Sequence, residues 1–283
     1  MKKSASAISD MHVVVDLAGE RRAATIAADL ASRLDAHLSG LALAFEPLVP
    51  VYTMAAPVPT DFIVAARENA IADAKAAGIA FEKIAAAAGV PFETLTLESV
   101  AGEGFISAVR DLRLTDLVVV GQDDPDRAEP MRKALIEAIL FEAVAPTLVV
   151  PYTGVREFRT GRAVIAWDGS APAARAVRAA LPLLQFADQV LVAIVEEARK
   201  WSADAPGADI GTHLARHGLS VEVKRIDNAV GDVASSLLNF AADEAGDWMV
   251  MGAYGHSRMR ELLLGGATRG VLASMTVPIL MAH

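Results

Sequence analysis

The sequence predicts an α/β protein made of two tandem doubly wound domains, each built on a five-stranded parallel sheet. Three observations lead there. The chain repeats itself. Its apolar runs are short, continuous and rich in Val, Ile and Leu, as in strands buried on both faces. These runs alternate with alanine- and arginine-rich stretches of helical length, and such alternation gives a parallel sheet with right-handed crossovers.

The repeat is visible at matching landmarks. Met11-His12-Val13-Val14-Val15-Asp16 and Ala163-Val164-Ile165-Ala166-Trp167-Asp168 are apolar runs closed by aspartate. Small-residue turns follow, Leu17-Ala18-Gly19 and Gly169-Ser170-Ala171, and then helical segments over Glu20 to Asp35 and Pro172 to Phe186. Asp116-Leu117-Val118-Val119-Val120-Gly121 matches Asp247-Trp248-Met249-Val250-Met251-Gly252. Each half closes with a proline-led strand, after Pro146 and after Pro278. The copies are each about 140 residues, an ordinary domain size. The expected domains are 1–153 and 160–283, joined where turn and charged residues replace apolar periodicity.

In the second copy, strands are expected near 162–167, 189–196, 220–226, 247–252 and 277–282. Helices are expected near 171–186, 208–217, 231–245 and 266–275. Ligands in such sheets bind outside the carboxyl ends of the strands, where the strand order reverses. Asp168 and Gly252 fall there. The first copy is longer between its aspartate and its glycine by roughly twenty residues. The proline-rich stretch Glu46 to Pro59 is expected to hold most of the excess as an extended connection.

Composition narrows the function. The 283 residues are 53% hydrophobic and 22% charged, with net charge −9 and no cysteine. The absence of a basic run argues against nucleic acid as a partner. No cysteine means no disulfide framework and no thiolate metal site, which suits a reducing cytosol. No apolar run approaches the roughly 20 residues of a membrane span, and no signal-peptide core precedes Asp10. The expected location is cytoplasmic, with no membrane partner.

The candidate site lies in Gly252-Ala253-Tyr254-Gly255-His256-Ser257-Arg258, continuing to Gly265-Gly266-Ala267-Thr268-Arg269. Glycine lets a ligand approach the main chain closely. A helix start follows Gly266, and its unpaired N–H groups and dipole suit phosphate. His256, Arg258, Arg260 and Arg269 add positive charge. With Asp168 at a strand end nearby, the group suits a nucleotide polyphosphate and its magnesium ion.

This pattern resembles the universal stress protein family. The family signature is glycine, two residues, glycine, nine residues, glycine, then serine or threonine. Gly252, Gly255 and Gly265 match that spacing, and Gly266 stands at the hydroxyl position. Trp167-Asp168-Gly169-Ser170 resembles the family's first-strand motif, and the resemblance spans both halves as a tandem form. It implies a Rossmann-like, adenine nucleotide alpha hydrolase-like fold and binding of ATP or another adenine nucleotide with Mg2+. By resemblance, the cofactor-binding residues are Asp168, Val195 at the adenine edge, Gly252, Gly255, His256, Gly265, Gly266, Ala267 and Thr268. Asp168 would meet the metal only through the nucleotide. The implied role is stress response by binding, with a pseudo-dimer inside the chain and a homodimer as a further assembly. A ligand-free dimerising interaction module and a slow ATP hydrolase are the alternatives. No residue offers itself as a strong general base, so no catalytic residue is assigned.

The first copy lacks the glycines. After Gly121 it reads Gln122-Asp123-Asp124-Pro125-Asp126-Arg127-Ala128-Glu129-Pro130. Acids repel phosphate and prolines remove N–H donors. This half is expected to be a degenerate copy that binds no nucleotide. His213 and His217 have a metal-like spacing but no third ligand, and are expected to be surface or capping residues. Gly102-Glu103-Gly104 and Ala229-Val230-Gly231 are expected to be strand-to-helix turns.

Overall fold

The computed structural model describes residues 8–45, 60–100, 108–127, 129, 131–196, 207–228, 232–254 and 266–283. Contacts divide the chain into two compact units, Ile8–Ala145 and one that contains Pro146–His283.

In the first unit the order is β1 (Asp10–Val14), α1 (Arg22–Leu34), β2 (His37–Phe45), α2 (Thr60–Ala88), β3 (Phe92–Val100), β4 (Leu117–Gly121) and α3 (Arg132–Ala138). The strands lie in the order β3-β2-β1-β4, all parallel. The apolar runs form the core: Met11, Val13, Leu38, Leu117, Val118 and Val119 have almost no exposure. Strands with such continuous burial are covered on both faces.

The extra length of this unit is helix. Helix α2 has 29 residues, whereas its counterpart in the second unit has 9. The expectation that Glu46 to Pro59 holds most of the excess is corrected by this comparison. Alanine dominates α2, so the stretch carries high helix propensity without a strong amphipathic pattern. That weak pattern hid the element. Residues 46–59 themselves lie outside the described residues.

The second unit runs β5 (Thr147–Val150), β6 (Arg162–Ala166), α4 (Ala171–Leu184), β7 (Gln189–Glu196), α5 (Ala208–Arg216), β8 (Val221–Asp227), α6 (Val233–Asp243), β9 (Trp248–Gly252), α7 (Ala267–Ser274) and β10 (Ile279–Ala282). The strand order is β5-β10-β9-β6-β7-β8. Strands β10, β9, β6, β7 and β8 are parallel to their neighbours, and β5 pairs antiparallel with β10. The strand after Pro146 closes the first copy in sequence, yet its hydrogen bonds to β10 place it in this unit.

Local signals explain the helix starts. Ser170 caps α4, its hydroxyl accepting from the N–H of Ala173 at 3.2 Å. Pro172 sits in the first turn, where a missing N–H costs nothing. Asp232 caps α6 by accepting from the N–H groups of Ala234 and Ser235. These bonds favour the ionised carboxylate, and the hydroxyl and amide of Ser235 hold its pKa below the ordinary value. No described helix is long and apolar enough to cross a membrane.

Candidate functional site

The strand order of the second unit reverses between β6 and β9: β7 and β8 extend one way, β10 the other. Register fixes what meets at that point. Ala166 pairs with Met251 on one side and Ala193 on the other. Two residues further along each chain come Asp168, Ala253 and Val195. The ladder continues past the strand end, with Trp167 N–H donating to the Ala193 carbonyl at 2.9 Å. Asp168, Val195 and Gly252 are therefore neighbours at the carboxyl edge.

Asp168 is exposed. One of its oxygens accepts the Ser170 N–H at 2.9 Å. A carboxylate has about four lone-pair positions, so acceptor capacity remains for a further partner. Val195 is half-buried at the end of β7.

Gly252 has a packing task. A Cβ there would lie 2.4 Å from the Ala173 nitrogen and 2.7 Å from the Pro172 carbonyl carbon. The end of β9 is pressed against the first turn of α4, backbone to backbone. The missing side chain thus serves the contact between strand and helix.

Helix α7 brings in the remaining described residues. Its N-cap is Gly266, which supplies no side-chain cap. Arg269 and Gly270 N–H groups both donate to the Gly266 carbonyl. Ala267 and Thr268 sit in the first turn, where amides have no intrahelical acceptor. No capping side chain is present at that helix end among the described residues. Thr268 also has a structural bond. It is 2% exposed, and its hydroxyl accepts the Tyr254 N–H at 3.0 Å. Tyr254 is also buried, in the left-handed region at φ 54°. That bond places the first turn of α7 beside the carboxyl end of β9. The structure thus gathers Asp168, Val195, Gly252, Gly266, Ala267 and Thr268 at one edge. Gly255, His256 and Gly265 lie outside the described residues.

The matching edge of the first unit is filled by its own side chains. Asp16 lies two residues past β1, as Asp168 lies two past β6. Its carboxylate faces the Arg132 guanidinium, with Nη2 3.2 Å from Oδ1. Arg132, the first residue of α3, is 3% exposed and also pairs with Glu129. Glu129 in turn accepts the Leu17 N–H at 2.8 Å. Asp16 and Glu129 side chains are 19% and 16% exposed. Burial raises the Asp16 pKa above its ordinary value, against the opposing pull of Arg132, and Glu129 adds to the rise. A Cβ at Gly121 would sit 2.6 Å from Asp16 Oδ1. The sequence reading recognised the acids here and missed Arg132. The available signal was an arginine three residues beyond Glu129, at the helix start that follows an acidic turn.

His213 and His217 stack edge to face at 4.8 Å, and His217 is the C-cap of α5. No group of three or more metal-binding side chains occurs among the described residues.

The comparisons agree with this architecture. Residues 160–283 match the model of the universal stress protein family. A universal stress protein of Synechocystis sp. is 28% identical over 171 residues, which cover 58% of this chain and 57% of that protein. The match spans little more than half of that relative. A universal stress protein from Archaeoglobus fulgidus has the same fold over 97% of this chain and 96% of its own, with TM-score 0.71 and 14% identity. A shorter structure, an Arabidopsis thaliana universal stress protein with AMP bound, covers 43% of this chain and 90% of its own, with TM-score 0.31 and 15% identity. That last likeness fixes neither fold nor ligand for this chain. Residues 160–283 belong to the universal stress protein family.

Proposed function

We propose that the second half binds an adenine nucleotide, ATP with Mg2+, and serves a stress response through that binding. The observation that carries this reading is the uncapped start of α7 at the reversal of strand order, beside the exposed Asp168. Amides of Ala267 and Thr268 would receive phosphate oxygens, favoured by the helix dipole. Asp168 would face the metal that the nucleotide carries; such a metal neutralises phosphate charge. The end of β7 at Val195 would border the base through its backbone. Gly255, His256 and Gly265 complete the phosphate segment in this reading. The same family membership extended to the first half makes the chain a tandem form with one functional site and one closed one. Cytoplasmic location and pairing of the halves as a pseudo-dimer belong to this proposal too.

A thermal-shift series with ATP and Mg2+ tests it. Binding at 100 times Kd stabilises the folded state by about 2.7 kcal/mol, a rise of several degrees. No shift at millimolar nucleotide would leave the second half an interaction module without this ligand. Phosphate release followed over hours separates binding from slow hydrolysis, and the expected result is none above background.

A further inference from the structure

Helix α2 buries one face only. Ala74, Ala77, Gly78, Phe81 and Ala85 pack inward. The face turned away carries Phe62, 66% exposed, and Ile79, 55% exposed. They stand at the ends of a stripe, Phe62, Ala65, Asn69, Ala72, Ala76 and Ile79, whose members are all exposed. The steps along it alternate between three and four residues, the a/d spacing of a coiled-coil seam. Helix propensity accounts for the alanines, but not for an exposed phenylalanine and isoleucine on the same seam. The seam reads alike from either end. Laid antiparallel on a second copy of itself, it sets Phe62 opposite Ile79, Ala65 opposite Ala76 and Asn69 opposite Ala72, each contact repeated by the two-fold axis. Large apolar side chains then meet at the ends, and small ones in the middle let the helices approach.

We propose that this face of α2 is a self-association surface, on which a second copy of the chain docks through its own α2 in antiparallel register. Charge selects both the occupant and the register. Glu68 and Lys75 are exposed on the same flank of the seam, each one residue before a seam position. In an antiparallel pair a flank faces its own counterpart, so Glu68 meets Lys75 of the second copy, and Lys75 meets Glu68 of that copy. An ammonium has three donors, so this pairing adds to whatever Lys75 holds within its own chain. At each end Asp61 comes opposite Glu82, with Lys83 alongside to offset that repulsion. Sliding the copies by one heptad sets Glu68 against Glu82 and Lys75 against Lys75, and leaves Phe62 against Ala86. A polar residue within an apolar seam, here Asn69, narrows the choice of register further. The surface belongs to the first half and does not depend on nucleotide.

Sedimentation velocity of the full chain over about 1–200 μM tests this, and wild type should shift from monomer to dimer across that range. A chain that stays monomeric at the upper end overturns the proposal. Lys75→Glu sets like charges opposite each other on both sides of the axis, and should weaken the dimer about tenfold or more. Glu68→Lys should do the same by itself. An equimolar mixture of the two variants restores both ion pairs between unlike chains, so it should dimerise about as tightly as wild type. This rescue separates the surface from damage to the fold, since neither variant is repaired within its own chain. Dimerisation that neither charge change weakens belongs to another surface and overturns the proposal, as does a mixture no tighter than its components. Introduced thiols read the register, because the chain has no cysteine of its own. In a variant with Ala65→Cys and Ala76→Cys the two sites lie about 16 Å apart along one helix, too far for a disulfide, yet opposite each other between copies. Mild oxidation should convert this double variant to a covalent dimer and leave each single variant mostly monomeric. No covalent dimer from the double variant, or single variants that cross-link as fast, would overturn the antiparallel arrangement.

Discussion

Asp16 and Asp168 occupy the same place in the two halves, just past the first strand of each sheet. Asp168 is exposed and bonded by one backbone amide. Asp16 is enclosed, held by Arg132, and shares that arginine with Glu129. The same strand-end carboxylate thus stands in two different surroundings on one fold. The first copy has no glycine at the places of Gly255 and Gly265, and its Asp16 is paired with an arginine from the start of the following helix. Arg132 is already engaged by Asp16 and Glu129, and the acids of this turn repel a polyphosphate. In the second half Asp168 is exposed, and the described first turn of α7 has no side-chain cap.

The largest expected effect comes from breaking the closed side. Arg132→Met removes the cation from two enclosed carboxylates. Breaking a buried pair from one side costs about 3–5 kcal/mol, whereas Asp168→Ala, at an exposed position, should stay within about 0.5 kcal/mol. Urea denaturation of both variants gives the contrast; similar small losses would mean that the triad does not hold the first unit.

A smaller effect separates the two strand-end glycines. Gly252→Ala drives a methyl group into the backbone of α4, while Gly121→Ala meets the Asp16 carboxylate, a side chain with some freedom to turn. Overpacking costs typically about 1–3 kcal/mol, and Gly252→Ala belongs at the upper end because backbone yields least. The order of the two melting temperatures checks this, with Gly252→Ala the lower.

On the open side, Gly266→Ser restores the hydroxyl at the family position. A hydrogen bond to a charged group is worth about 1.5–3 kcal/mol, so ATP should bind about tenfold tighter. Weaker binding in the serine variant would show that the bare N-cap suits another ligand.

The smallest effect is a pH dependence confined to the first half. His12 is buried in β1 and its Nδ1 lies 3.0 Å from the Thr115 hydroxyl. Val164 holds the matching position in β6. Burial lowers the His12 pKa below 6.5, against the pull of Asp10 and Glu93. A lowered value means that the unfolded chain takes up the proton first. The contribution of His12 is therefore complete above pH 6.5 and lost as pH falls from there through the folded value. His12→Gln should flatten the decline in melting temperature over that window, by the equivalent of about 1 kcal/mol or less. A decline of unchanged slope would assign it to other groups.

Much of this contrast was legible in the residues. The continuous apolar runs placed β7 and β9 within a residue of their observed bounds, because burial on both faces leaves no other reading of such runs. Ser170 and Pro172 marked the start of α4 through local chemistry alone. The acids after Gly121 marked this turn as different from its counterpart in the second half. What stayed hidden depends on contacts distant in sequence. Arg132 reaches Asp16 across more than a hundred residues. The bond from the Tyr254 N–H to the Thr268 hydroxyl joins residues fourteen apart, and no local pattern announced it. The packing of Gly252 against the backbone of Ala173, far away in sequence, was likewise out of reach of local pattern. Helix α2 gave a weak signal because alanine fills both its buried and its exposed positions.

The central claim is that one half is open and the other closed. Titration calorimetry of ATP·Mg2+ into the intact chain tests it most directly. The account predicts about one nucleotide per chain, with Asp168→Ala weakening binding far more than Asp16→Ala. Two nucleotides per chain, or greater loss from Asp16→Ala, would contradict it.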